Sequence, residues 1–366
     1  MSTLEDFGGF ITTLMSGEHL SKQQARECWQ QIVTNNQPDL QQGAFMAALS
    51  MKGETAQEIA GTWEAVYELD TEKVDLSHLY PLVENCGTGM DSLKTFNIST
   101  AAAIIAASDG VTIARHGARA LTSKCGTIDV LEHMGIDVEA PLEVVKESIH
   151  HCGIGIFNGM SEIVHPKALF RILSQIRFGS TLNIAGSLAN PANPTHGVRG
   201  VYGPHLLKQT VETMKAIGYK RALVFHGYGS GENEGMDELS TLGNSLIYEL
   251  DEKGVIHHYS ISPEDFGIKR ASYEQLKNAE SVAEASQIVC RVLQNKATEA
   301  QRDIVLLNTA PLLYIADKVD TLEAGFAKAK DLLENGAAFE KLQEWVGCQN
   351  RNPSTGYKTL KLACAC

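Results

Sequence analysis

The chain has 366 residues, 43% of them hydrophobic, and a formal net charge of −13 at pH 7. That length exceeds what one small core organises and favours two domains. The acidic balance opposes a nucleic-acid partner, which needs a basic field to release counterions from phosphates, and no apolar run approaches the roughly 20 residues that span a bilayer.

The polar start from Met1 to Asp6 lacks the features of a secretory signal, so a cytoplasmic location with no membrane partner is expected. From Phe7 to Glu68 the patterning is helical. Ser21 followed by Gln24 forms a capping box, and Ile59, Trp63, Ala65 and Val66 share an apolar face between Glu54 and Tyr67. The unperiodic stretch from Asp70 to His78 reads as a linker.

Strand character up to Val83 leads into Asn85-Cys-Gly-Thr-Gly-Met-Asp91, and Asn97, Ser99 and Thr100 then stand directly before the helical run Ala101 to Ala107. Gly87 and Gly89 permit backbone conformations and close ligand approach that a side chain blocks. The helix start offers unpartnered amides and partial positive charge, to which a phosphate or pyrophosphate is attracted. On glycine spacing alone the loop reads better as a tight α/β connection; the polar side chains before the alanine run shift the reading toward an anion. It is neither a P-loop nor a dinucleotide fingerprint, because it lacks Gly-Lys-Ser/Thr and a third glycine in register.

Asp109-Gly110 turns the chain into a short strand, Val111 to Gly117, followed by a donor-rich loop from Ala118 to Thr127. Arg115, Arg119 and Lys124 crowd this turn, which is either ordinary solvated loop or a phosphate cradle at the carboxyl edge of a sheet. Ile128 to Met134 read as helix, and Pro141 to Gln175 as helical patches broken at Gly153-Ile-Gly155 and Asn158-Gly159. His165-Pro166 opens a helix carrying Arg171 and Arg177 that returns to the helical domain, while Asn183 to Pro194 reads as an irregular crossover. The doublets His150-His151 and His257-His258 have no partner ligands at helical spacing and are expected to be structural or exposed.

Strand Ala222 to Phe225 ends in a glycine-rich turn, Gly227 to Gly235, immediately before Asp237 and Glu238. Adjacent acids at that place suit Mg²⁺ serving a phosphorylated ligand, although in isolation they read better as surface decoration. Ser245 to Leu250 and Val255 to Ile261 predict a hairpin, and the remainder is mainly helical. Eight scattered cysteines suit reduced thiols, with Cys364-Ala-Cys366 a frayed tail and no metal site.

Several of these fragments share an order and spacing with one family. Gln41 to Thr55, Cys86 to Asp91 with Thr95 to Thr100, Arg115 to Gly126, Asn183 to Ala192, Asp237-Glu238, Pro263 to Gly267 and Arg302 to Asn308 together make the chain resemble the anthranilate phosphoribosyltransferase family across nearly its whole length. The resemblance implies an α/β fold, with a small α-helical domain hinged to a larger α/β domain built on a central, mostly parallel sheet. Residues 1–77, joined by helices from about 165–195, would form the first; 78–164 and 196–366 would form the second. It implies Mg²⁺-dependent transfer of the 5-phosphoribosyl group from phosphoribosyl pyrophosphate (PRPP) to an aromatic or heterocyclic nitrogen acceptor. Anthranilate, on the route to tryptophan, is the family default. A homodimer through the helical domain is also implied.

By the same resemblance Gly87, Gly89, Asp91, Thr95, Asn97, Ser99, Thr100, Arg115, His116, Gly117, Ser123 and Thr127 would hold PRPP, and Asp237, Glu238 and Ser99 would bind Mg²⁺. Ala118 and Arg171, with Arg177 as the alternative arginine, would face the acceptor. Displacement at the ribose carbon needs a neutralised leaving group and an aligned acceptor, with no side-chain nucleophile, which accords with the lack of any triad. The chain departs from the family pattern at Met90, where a glycine is usual, at Arg115 for lysine, and at Ala118 for the asparagine that contacts anthranilate. Nucleoside phosphorolysis and a non-catalytic binding role are the competing functions. The acid pair opposes the first, and the donor motif opposes the second.

Overall fold

The computed structural model describes residues 3–119, 125–176, 178–231 and 234–365. The chain begins with four helices, α1 (Leu4–Met15), α2 (Lys22–Val33), α3 (Asp39–Lys52) and α4 (Ala56–Leu69). Capping boxes open three of them: Thr3 with Asp6, Ser21 with Gln24, and Thr55 with Glu58 each satisfy two end amides reciprocally. Phe7, Trp29 and Phe45 fill the space between them, with the Phe45 ring centroid 5.4 Å from that of Phe7 and 6.4 Å from that of Trp29.

The second unit alternates strand and helix through β1 (Leu82–Gly87), α5 (Ile98–Ser108), β2 (Thr112–Gly117), α6 (Thr127–His133), α7 (Leu142–Cys152) and β3 (Ile154–Asn158). The chain then returns to the helical unit as α8 (Leu169–Gln175) and α9 (Leu182–Leu188), whose Leu169, Ile172, Ala185 and Leu188 share one core with α1–α4. Trp63 Nε1 donates to Leu188 O at 2.9 Å, fastening α4 to α9. Next come β4 (His196–Gly200), α10 (Leu207–Ala216), β5 (Arg221–Tyr228), β6 (Gly235–Met236), β7 (Ser245–Leu250) and β8 (Ile256–Ile261). The chain is completed by α11 (Tyr273–Leu276), α12 (Val282–Leu293), α13 (Glu299–Ile315), α14 (Leu322–Glu334), α15 (Ala337–Cys348) and α16 (Pro353–Ala363).

The sheet order is β3-β2-β1-β4-β5-β7-β8, parallel from β3 to β5 and antiparallel beyond, with β6 on β5. The chain leaves β1 toward β2 on one side and later comes back to β4 on the other. The carboxyl end of β1 is therefore a topological switch point, where open α/β sheets bind ligands. Behind it α5, buried along its whole alanine run, packs against α13 and α15. No described helix is long and apolar enough to cross a membrane.

Three expectations are corrected. Gly153-Ile-Gly155 does break the helical stretch, but into a strand that was not expected: Gly153 ends α7 in the left-handed region, β3 starts at Ile154, and Gly155 lets α7 lie against the strand, since a Cβ there would stand 2.6 Å from Ile149 Cγ1. The segment after Asn183 is helical as far as Leu188, because small Ala185 and Gly186 allow close packing; a Gly186 Cβ would meet Leu169 at 3.3 Å. Cys364 is neither frayed nor a reduced thiol. It follows α16 directly and is disulfide-bonded to Cys290 on α12.

Asp70, 1% exposed, ties the linker to the start of α8 by accepting from the amides of Lys167 (2.6 Å), Ala168 (2.9 Å) and Leu169 (2.8 Å). Asp70→Ala leaves these donors without their acceptor and is expected to cost about 2 kcal/mol. The urea midpoint should fall without a change in slope; an unchanged midpoint would show that the α8 start is held by packing alone.

Candidate active site

A cavity of about 460 Å³ opens at the carboxyl ends of β1 and β2, between the sheet and the α8–α9 segment. Its polar side is the loop after β1. Gly89 sits at φ +66°, and Asn97, the residue before α5, makes no capping hydrogen bond with its side chain. The N-terminus of α5 is thus left uncovered by its own cap while Asn97 and Ser99 line the cavity. Pairing of Thr95 with Lys277 and donation from Asn278 N to Lys94 O (2.8 Å) hold the loop from outside. Lys94 closes it from within on Asp91 at 2.7 Å.

Arg115, 3% exposed at the end of β2, donates to Thr100 Oγ1 (2.9 Å) and Ser99 Oγ (3.3 Å). Burial draws its guanidinium down to about 10, which leaves it cationic at neutral pH. Its Nε has no partner among the described residues. A buried, charged donor beside an open helix start is a ready anion site.

The acids arrive from the far side of the sheet. The segment after β6 carries Asp237 and Glu238 back across the strand ends, and it lies so close that glycine is required beneath it. A Cβ on Gly87 would run into the Asp237 carboxylate, one on Gly200 into the Asp237 carbonyl, and one on Gly227 into the Glu238 carbonyl. Gly89 N donates to Asp237 Oδ2 at 2.8 Å and Ser99 N to Glu238 Oε1 at 3.2 Å. Even so, burial and the nearby Asp91 push Asp237 up to about 7. Burial, Asp237 and Asp91 push Glu238 well above its ordinary range. Two adjacent buried carboxyls, with Asp91 near enough to raise both, form a place that favours a bound cation. Among the described residues no group of three His, Cys, Asp or Glu side chains is gathered for a metal. The acid pair therefore fits an ion that takes most of its oxygens from ligand and water, as Mg²⁺ does.

Of the residues singled out from sequence, Gly87, Gly89, Asp91, Thr95, Asn97, Ser99, Arg115, His116, Gly117, Ala118, Thr127, Asp237 and Glu238 line this one cavity. Thr100 is fully buried and acts through Arg115. Ser123, Lys124 and Arg177 lie outside the described residues. Arg171 is not brought to the cavity: it donates to Ile32 O (2.6 Å) and Gln42 Oε1 (3.2 Å), binding α8 to the helical unit. Arg119 is likewise engaged elsewhere, held by Glu132 (2.7 Å), Asp129 and Glu139 (both 3.1 Å), so it is not a free phosphate donor.

Two buried links beneath the site had no signal in the sequence. Glu84 and Arg199, each 1% exposed on neighbouring strands, pair at 3.2 Å, while Arg199 also donates to Ser187 Oγ (2.8 Å) and Tyr219 OH to Glu84 (2.8 Å). His116 meets Ser187 O through Nδ1 (3.1 Å) and His165 through Nε2 (3.1 Å), and His165 reaches Asp70 O. Burial holds both rings neutral, His165 at about 3. Isolated Glu, Arg and His residues on short strands, and His165 in the connection before α8, carry no spacing pattern, so only their convergence identifies them.

The glycosyl transferase family a/b domain matches residues 79–339, and the glycosyl transferase family helical bundle domain matches residues 9–69. Fold and cavity thus define a two-domain glycosyl transferase. The anthranilate phosphoribosyltransferase of Alkalilimnicola ehrlichii is 36% identical over 350 residues, covering 94% of this chain and 98% of that one. The structure of the Thermus thermophilus anthranilate phosphoribosyltransferase superposes with a TM-score of 0.83 at 32% identity, covering 93% of this chain and 99% of that one. The Saccharomyces cerevisiae enzyme in complex with PRPP and Mg shares the fold at a TM-score of 0.79 and 20% identity, covering 94% of this chain and 98% of that one. The chain belongs to the anthranilate phosphoribosyltransferase family, a family of pentosyl-transferring enzymes.

The two glycines under Asp237 separate function from stability. Gly87→Ala collides with the end of a side chain, which can swing away, so we expect a folded protein whose acid pair is displaced and whose activity falls. Gly200→Ala collides with backbone, which cannot, and should lower the denaturation midpoint by several degrees more. Thermal melts of both variants decide it; equal melting temperatures would mean that the segment after β6 is not pinned as described.

Proposed function

We propose that this protein transfers the 5-phosphoribosyl group from PRPP to the nitrogen of an aromatic or heterocyclic acceptor in a Mg²⁺-dependent reaction. The observation that carries this reading is the convergence of the acid pair, the glycine loop and the open start of α5 on one cavity. The acceptor nitrogen attacks the anomeric carbon as the bond from that carbon to the pyrophosphate oxygen breaks. Pyrophosphate leaves with the electron pair, and the proton on nitrogen passes to solvent. The protein's own part is to place the two reactants in line and to meet the negative charge of the leaving group. The amides of the Gly87 loop and the α5 start serve as donors, with Arg115 charged behind Ser99 and with Gly117 and Thr127 on the adjoining wall. Asp237 and Glu238, with Ser99, would hold Mg²⁺, whose contribution is to neutralise pyrophosphate.

Phosphorolysis of a nucleoside is the weaker reading, because the acid pair set against the Gly89 and Ser99 amides would then have no pyrophosphate-bound metal to hold. Calorimetry should show PRPP binding that is strengthened by Mg²⁺. Asp237→Asn with Glu238→Gln should reduce kcat/KM by about a hundredfold or more. No PRPP binding with Mg²⁺ present would end the transferase reading, and undiminished turnover in the double variant would remove the acids from it.

Anthranilate remains the family's default acceptor, but Ala118 offers only a methyl group and Arg171 is turned away, so we propose an acceptor compartment altered from that default. The helical unit is also proposed to pair two copies. Leu4 and Met15 on α1 and Leu40 and Met51 on α3 are 55–88% exposed and form stripes on adjacent helices. Sedimentation should show a dimer in the wild type and a monomer in Leu40→Glu with Met51→Glu; a dimeric double variant would place the contact elsewhere.

A further inference from the structure

We propose that His78 and His150 together form a site for a late first-row divalent metal ion, of the class of Zn²⁺ and Cu²⁺, and that the bound ion fastens the connection between the two units to α7. Neither the cavity nor the acid pair takes part.

In the sequence His150-His151 has no partner ligand at helical spacing, and the fold supplies one from 72 positions earlier in the chain. Leu76 of the linker is buried in one apolar cluster with Val145 and Ile149 of α7, which seats the linker on that helix. Leu79 N donates to Leu76 O (2.9 Å), closing a turn around His78. His78 stands two residues beyond Leu76, and His150 one beyond Ile149. Both imidazoles are thus carried on buried anchors while they themselves stay exposed. His78 Nε2 and His150 Nδ1 lie 3.1 Å apart, with the ring planes inclined at 56°.

That spacing suits one shared ion. Imidazole nitrogens ligate zinc at about 2.0–2.1 Å, so two of them 3.1 Å apart subtend about 98° at the metal, between the square-planar and tetrahedral angles. Without metal the same contact is a single N–H···N hydrogen bond between exposed rings, and little is lost when the rings turn to face an ion instead. Late first-row ions favour imidazole nitrogen, whereas Mg²⁺ favours oxygen and does not compete here.

The surrounding charges are already placed. Asp75 Oδ1 accepts from Ser77 N (3.1 Å) and Ser77 Oγ (2.7 Å), and these bonds, with lesser help from His78 and Lys146, hold the carboxyl below the usual carboxylate range. A carboxylate therefore stands beside the pair. Lys146, one turn before His150 on α7, is engaged with Glu143 at 3.1 Å. His151 is turned to Glu147 at 2.9 Å, which leaves it out of the ligand set although its ring centroid is 4.7 Å from that of His150. Two protein nitrogens are fewer than a structural zinc site uses, so water fills the remaining positions and the ion can exchange.

Tag-free full-length protein, with Mg²⁺ in excess and Zn²⁺ as the probe, tests this. Zn²⁺ at about a hundredfold above its dissociation constant should raise the melting temperature of the wild type by a few degrees. His78→Ala and His150→Ala should each lose most of that rise, and His151→Ala should keep it. One equivalent of Cu²⁺ should give an electron paramagnetic resonance spectrum split by two nitrogens in the wild type and by at most one in either of the first two variants. No rise with Zn²⁺, a wild-type rise in His78→Ala or His150→Ala, loss of the rise in His151→Ala, or a wild-type copper spectrum without two nitrogen ligands would each overturn the proposal.

Discussion

The arrangement turns on a close approach of backbone to backbone. The segment bearing Asp237 and Glu238 lies flat across the carboxyl ends of three parallel strands, and it can do so because β1, β4 and β5 each present a glycine beneath it, at 87, 200 and 227. With side chains at those places the segment would stand off the sheet. The acids would then lose the amides of Gly89 and Ser99, and the glycine loop would face empty space. Close approach also produces the electrostatics. Carboxyls pressed together away from water are harder to ionise than free ones, so the site favours a cation that it does not itself contain.

Everything that faces this edge is fastened from behind. Glu84 and Arg199 bind neighbouring strands to Ser187 of α9, and His116 and His165 link the end of β2 to Asp70, which itself caps α8. A buried ion pair adds little net stability on its own, but it tolerates few alternative geometries, and here it sets α9 relative to the strand ends. The helical unit therefore does more than bury apolar surface: it supplies one wall of the cavity, and the two units share the site.

The chain's acidic character and its affinity for an anion are compatible because they operate at different ranges. A net charge of −13 repels polyanions over a Debye length, whereas one buried Arg115 and a helix start act over a few ångströms in a water-poor pocket. Local geometry outweighs the global balance at the site.

Much was legible before folding. Strand, glycine loop, helix start and alanine run predicted β1, the cavity lip and α5, because each depends on neighbours within a few residues. The helical beginning, the hairpin of β7 and β8, and the adjacency of Asp237 and Glu238 were visible for the same reason. The sequence determined which residue types would be available and the local shapes they prefer. It did not reveal β3, a short run Ile-Gly-Ile-Phe-Asn, or β4, with its glycines, histidine and arginine; both are buried along their whole length and so show no alternation of apolar and polar residues. It suggested Arg171 for the acceptor, and folding turned that side chain toward Ile32 and Gln42 instead. Gly87 was read as room for a ligand, while in the fold the room is taken by Asp237, 150 positions further along the chain. Which side of Arg171 meets a partner, which glycine is needed for which neighbour, and how His78 finds His150 are questions about residues remote in sequence. Only the tertiary structure decides them, since it alone sets the distances at which charge, volume and hydrogen bonding act.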